Sequence, residues 1–256
     1  MDSGLSYESE HTGGFEGGRR AMPSAIVLTL PHKEAQAIDV LRILRLAVSK
    51  ITIEDLVEQE MQAFTAAIFE GEQGQPLLRI ATIDEKLDQA LDGISIESID
   101  GESVARVSPH PLAGRHSYED IYRKTSAASK EFRFEFLTPT CFHHADMDVL
   151  LPLPRPLFAG LYRRWKHSHT RIALHEEVID ASDHHLQIHS LKIESHPFKE
   201  ERTTKVGIVG HVTYRVSGAI HRDILHELNA LADFAFYASV GQKTLTGMGL
   251  VRRLTA

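Results

Sequence analysis

The chain has 256 residues, 42% hydrophobic and 25% charged, which supplies apolar material for a real core and excludes a disordered or collagen-like chain. Its 28 Lys plus Arg against 35 Asp plus Glu give a formal charge of -7, so nucleic acid cannot be held by bulk attraction and any such binding must be local. The basic part is carboxy-terminal: residues 150–256 hold 14 Lys/Arg and 10 Asp/Glu, and ten of the sixteen histidines lie from His167 onward.

Residues 1–21 are polar and glycine-rich and read as a disordered tail. Ala25 to Leu30 is a short β-branched apolar run closed by Pro31, which predicts a buried strand. From Glu34 the period becomes helical, with Ile38, Leu41, Leu44 and Val48 on one face, and a second helical stretch is expected from Ile53 to about Phe69. Gly71 and Gly74 mark a turn before a strand at Leu77 to Ile83. Further strands are expected at Ile94 to Ile99 and Ser103 to Val107, across the Asp100-Gly101 turn. Tyr118 to Ser129 reads as helix or loop.

Glu131-Phe-Arg-Phe-Glu-Phe136 alternates with period two, the pattern of a half-buried strand, and opens a new unit. A helix at Leu157–Trp165 follows three prolines, then strands at Leu186–Ile193 and Val206–Val216, a helix at Ile220–Ala232, and a glycine-rich turn feeding Leu250 to Arg253. Strand, helix, strand, strand, helix, strand is the ferredoxin-like βαββαβ order. The expected fold is α+β, two tandem ferredoxin-like (RRM-like) domains at 22–130 and 131–256, the first a looser copy of the second.

The single cysteine, Cys141, excludes an internal disulfide and a zinc site on paired thiolates. No apolar run approaches the roughly 18 residues of a membrane span and no signal pattern opens the chain, so the expected location is cytoplasmic, with no membrane partner. The histidine clusters at His143-His144, His167-x-His169 and His184-His185-x-x-x-His189 are poorly spaced for a metal: none matches HExxH, and no aspartate or cysteine sits at a familiar ligand distance in the same element. No metal and no cofactor are expected, and a histidine-rich metal-dependent enzyme stands as the weaker alternative.

The stretch Gly241-Gln-Lys243-Thr244-Leu-Thr-Gly247-Met-Gly249 crowds glycines, a lysine and hydroxyls between a helix end and the last strand. Backbone N–H groups there can approach a phosphate, with Lys243 as point charge and Thr244 as a further donor. It follows a helix instead of opening one, so it is no nucleotide-binding P-loop; helix capping and relief of crowding are the competing explanation. Arg155, Arg163, Arg164, Lys166 and Arg171 surround Tyr162 and Trp165, cations among aromatics that suit an RNA backbone and equally suit a solvated helix flank.

Phe134-Glu-Phe-Leu-Thr-Pro-Thr-Cys-Phe142, Leu151-Pro-Leu-Pro-Arg-Pro-Leu-Phe158 leading into Arg163-Arg-Trp165, Val209-Gly-His-Val-Thr-Tyr214 and Phe234 through Gly249 resemble, in that order, the CRISPR-associated endoribonucleases that cut repeat RNA. The resemblance is specific from about residue 131. Earlier it weakens to the Ile26–Leu30 strand, the following helix and Phe69 to Leu77. It implies two ferredoxin-like domains side by side, repeat RNA crossing their cleft and the glycine-rich loop near its phosphates. It also implies metal-independent cleavage by a ribose 2′-hydroxyl, and retention of the product for subunits of an interference complex.

One departure stands out. Family members often carry Gly-Arg-x-x-His in the first helix, with that histidine as general base. The best match here, Leu41-Arg42-Ile43-Leu44-Arg45, keeps Arg42 and lacks both the glycine and the histidine. His32 is the first substitute for the base, with Arg42, Arg45 and Lys50 stabilising charge on the phosphorane, and His143, His144 and His211 come next. A catalytically silent RNA-binding subunit is the alternative reading.

Overall fold

The computed structural model describes residues 22–30, 64–84, 88, 98–99, 102–103, 106–125, 129–144, 147–168, 170–200 and 203–254. Two four-stranded antiparallel sheets organise them. The first is built from β1 (Ser24–Thr29), β2 (Phe64–Glu70), β3 (Pro76–Thr82) and, after the two-residue strands β4 (Ser98–Ile99) and β5 (Glu102–Ser103), β6 (Gly114–Arg115). Their spatial order is β2-β3-β1-β6. After α1 (Tyr118–Lys124) come β7 (Glu131–Thr140), the small hairpin β8 (Phe142–His144) and β9 (Met147–Val149), α2 (Pro154–His167) and α3 (Glu177–His185). The chain continues with β10 (Leu186–Glu200), β11 (Thr203–Val216), α4 (Arg222–Ala238) and β12 (Val251–Leu254). The second sheet runs β10-β11-β7-β12. Numbered within each unit, both sheets have the order 2-3-1-4, so the chain is α+β with two tandem ferredoxin-like units, as expected.

The alternation in β7 does what its pattern requires. Phe132, Phe134 and Phe136 are buried and meet Phe158 and Leu161 of α2 and Leu228, Leu231 and Phe234 of α4 in one core. On the opposite face Glu131 accepts from Arg215 of β11 at 2.7 Å. Pro154 starts α2 at a position where a missing N–H costs nothing. Trp165 closes the helix against Ile172, donating from Nε1 to its carbonyl at 2.8 Å, and stacks edge-on with Tyr118 at 4.9 Å between ring centres. That contact carries α1 onto the helices of the second unit.

Several expectations are corrected. Phe64–Glu70 is a strand, not the end of a helix, because the Gly71–Gly74 turn folds it back on β3 in an unbroken register from Phe64↔Thr82 to Glu70↔Pro76. Of the Ile94–Ile99 strand, only Ser98–Ile99 is a described strand, paired with Glu102–Ser103. Arg106 forms an isolated bridge to Leu28 in place of a longer strand to Val107. Helix α3 is additional, and α4 runs six residues past Ala232 because its last turns are buried between the units. The expected tail at 1–21 and the helix after Pro31 lie outside the described residues.

Candidate nucleic-acid interface

The loop between α4 and β12 is fixed by its backbone. Ser239 caps α4 at φ 55°, Lys243 follows at φ 53°, and Gly241, Gly247 and Gly249 sit at 77°, 129° and 82°. A Cβ on Gly249 would lie 2.1 Å from the Val240 carbonyl oxygen, and one on Gly241 2.3 Å from that of Cys141, so both positions exclude any side chain. At Gly247 it would meet only the Phe198 ring, at 3.1 Å.

Part of the expected array of backbone donors is spent inside the protein. Val240 N donates to Gly249 O, Gln242 N to Cys141 O, Thr246 N and Met248 N to Lys243 O, and Gly249 N to Pro139 O. Leu250 N donates to the Thr138 hydroxyl. The glycines therefore fold the loop onto itself and onto the end of β7.

The loop also joins the two units. Ala66 N of β2 donates to Thr244 O at 2.9 Å, and Thr65 Oγ1 to Tyr237 O at 3.2 Å. Arg79 of β3, 1% exposed, donates from Nε to Leu112 O at 2.8 Å and from Nη2 to Phe236 O, with its guanidinium 4.6 Å from the Phe236 ring centre. It thus caps the carbonyl-rich end of α4, where a cation is favoured. Sequence reading missed Arg79; the signal was a lone cation inside the apolar run Leu77-Leu-Arg-Ile-Ala81.

The cations of α2 separate by direction. Arg155 pairs with Asp180 of α3 at 2.6 Å and lies 3.8 Å from Asp183. Arg163 is exposed, and Lys166 is exposed with Nζ 5.9 Å from the centre of the Tyr162 ring. Arg164 turns toward the loop and donates from Nη2 to Thr244 Oγ1 at 2.8 Å. So of the four predicted helix cations, Arg164 is the one the structure brings to Thr244.

Next to the loop Asp148 of β9 accepts from Gln242 Nε2 at 2.9 Å and Lys205 Nζ at 2.7 Å. These bonds hold its carboxyl below the usual carboxylate range. His143 Nδ1 lies 3.9 Å from the Asp148 oxygen that Gln242 bonds. His211 is elsewhere, on the outer face of the second sheet, 3.7 Å from Glu135. His32, Arg42, Arg45 and Lys50 lie outside the described residues. Among the described residues no group of three or more His, Cys, Asp and Glu side chains converges for a metal, and no helix is long and apolar enough to cross a membrane.

Two ferredoxin-like units joined through a glycine-rich loop, with a guanidinium under that loop, define the class of fold. Residues 134–251 match the family described as CRISPR-associated endoribonuclease Cas6. A Cas6 endoribonuclease of Mycobacterium tuberculosis is 28% identical over 128 residues, 48% of this chain and 39% of that protein; the match thus spans well under half of the curated relative. A solved Cas6 product complex superposes with a TM-score of 0.76 at 24% identity, covering 91% of this chain and all of that one. Cas6 of Thermus thermophilus superposes with a TM-score of 0.73 at 24% identity, covering 93% of this chain and all of that one. Residues 134–251 are thus similar to the Cas6 endoribonucleases, the family whose resemblance the sequence carries from about residue 131.

Proposed function

We propose that the chain processes CRISPR precursor RNA by cutting within the repeat without a metal, and that it keeps the mature guide RNA for an interference complex in the cytoplasm. A ribose 2′-hydroxyl gives up its proton to a base and attacks the adjacent phosphorus; the bond to the 5′ oxygen breaks and that oxygen is protonated. The products are a 2′,3′-cyclic phosphate and a 5′-hydroxyl. The observation that carries this reading is the coincidence of the family match with the glycine-rich loop, Lys243 and the inward-turned Arg164.

In this reading the units 22–130 and 131–256 flank the RNA, with the loop residues Gly241, Lys243, Thr244, Gly247 and Gly249 and the cations Arg163, Arg164 and Lys166 along its path. Arg155 contributes least, since Asp180 already neutralises it. His32 is the general base and Arg42, Arg45 and Lys50 stabilise the phosphorane. A labelled repeat RNA, with a copy carrying a 2′-deoxyribose at the cut site, tests the chemistry. Cutting should persist in EDTA and stop with the deoxy copy, and His32→Ala should slow it by about 10²–10⁴ with affinity nearly kept.

The missing Gly and His around Arg42 favour one second reading, a repeat-RNA-binding subunit that does not cut. Tight binding with both RNAs left whole would select it.

A further inference from the structure

An alkoxide is a poor leaving group, so the reaction proposed above calls for an acid at the 5′ oxygen as well as a base at the 2′-hydroxyl. His143 is placed for that second proton. It stands on β8 directly across from Asp148 of β9, so the two side chains leave the same face of the hairpin, with Nδ1 3.9 Å from Oδ1. The glycine-rich loop rests on this same hairpin: Gln242 N donates to Cys141 O at 3.0 Å, and Gln242 Nε2 to Asp148 Oδ1 at 2.9 Å. His143 itself is exposed.

The surrounding charges suit an acid. Asp148 accepts from Lys205 Nζ and from Gln242 Nε2, bonds that hold its carboxyl below the usual range, so it stays ionised wherever an imidazole titrates. Lys205 of β11 engages Oδ2, whereas His143 faces Oδ1. Asp148, Lys205 and Lys243 of the loop all act on Cys141, two residues before His143, whose thiol is pushed up chiefly by burial. The two lysines draw a phosphate to this place, and the phosphate then adds its own negative charge. An imidazole between a carboxylate and a phosphate is favoured in its protonated form, the form a general acid needs.

We propose that His143 is the general acid of the cleavage and Asp148 its positioning residue. The 2′ oxygen bonds to phosphorus and gives its proton to the base; the bond from phosphorus to the 5′ oxygen breaks, and that oxygen takes the proton of His143 Nε2. The imidazole is left neutral and recovers its proton from water. Asp148, facing Nδ1, turns Nε2 toward the substrate. The inference rests on the cleavage reading and leaves the base's role with His32.

The test is single-turnover cleavage of the repeat RNA and of a copy in which sulfur replaces the bridging 5′ oxygen at the cut, since a thiolate departs without an acid. His143→Ala should slow the oxygen RNA by about 10²–10⁴ and leave the sulfur RNA nearly as fast as with wild type, at nearly unchanged affinity. Asp148→Asn keeps the shape and removes the charge. The rate on the oxygen RNA falls at high pH as the acid loses its proton, and this variant should move that fall to lower pH, with no such shift on the sulfur RNA. If His143→Ala does not fold, His143→Gln carries the test with the same contrast expected. Equal slowing of both RNAs by the His143 variant, or slowing of neither, overturns the acid while the cleavage reading stands. A wild-type protein that binds both RNAs and cuts neither overturns the two together.

Discussion

The two sheets share one strand order and differ in what covers them. In the first, β1 is buried from Ser24 to Leu28 and β3 from Leu77 to Thr82, without alternation. In the second, β7 alternates, Phe132, Phe134 and Phe136 inward and Arg133 outward. The difference follows from packing. The end of α4 and the glycine-rich loop lie against β2 and β3 through Thr65, Ala66 and Arg79, whereas the outer face of the second sheet carries ion pairs such as Glu131 with Arg215. A strand covered on both faces needs a continuous apolar run, and one open on a side needs only every second residue. The same topology is thereby written in two different patterns.

Substitutions at the junction should break this asymmetry, and those away from it should leave it. The largest effect is expected from Gly249→Val, since a side chain at φ 82° would overlap the Val240 carbonyl: about 4 kcal/mol of stability should be lost, read from urea unfolding. Gly247→Val meets a ring edge instead of backbone and should cost clearly less stability while weakening RNA binding. A stability loss at Gly247 equal to that at Gly249 would refute the distinction.

Arg79→Met ranks next. It strands the carbonyls of Leu112 and Phe236 but also removes a buried charge, so the net loss should be roughly 2 kcal/mol. Unfolding of the first sheet ahead of the second, followed by hydrogen exchange, is the expected signature. Thr65→Val keeps the shape and deletes one bond to Tyr237 O, for about 1 kcal/mol.

The smallest effect lies far from the junction. Glu227, 1% exposed, accepts from His175 N at 2.8 Å and Nδ1 at 2.6 Å, and this carboxylate raises the imidazole pKa. A raised folded value means that the stabilisation is fully present below about pH 6.5, the unfolded value, and fades as pH climbs through the folded one. His175→Gln should therefore lower the melting temperature more at about pH 6 than at about pH 9; a gap that widened with pH would contradict the pairing.

Much of this was legible in the residues. The period-two run at Glu131–Phe136, the proline entry to α2 and the turn at Gly71–Gly74 each carry their structure within a few neighbours, because the local backbone preference and the face to be buried agree. Phe64-Thr-Ala-Ala-Ile-Phe69 was not legible in this way. Its residues suit either element, and only the partner strand across the turn selects β. The site divides along the same line. Glycine, lysine and threonine at 241–249 announced a loop of unusual backbone, and the family resemblance named its segment.

That some of the loop's N–H groups are consumed internally, that Arg79 crosses from one unit to α4, and that Arg164 alone among its neighbours turns inward depend on contacts between residues up to 178 positions apart, as between Ala66 and Thr244. Sequence by itself determined the periodicities, the charge excess of the carboxy-terminal half and the positions where only glycine fits a tight turn, since these are set by neighbours along the chain. The tertiary structure decided that the buried Arg79 finds carbonyls and the half-buried Arg164 a hydroxyl, because solvation of a charge depends on every group that surrounds it in space.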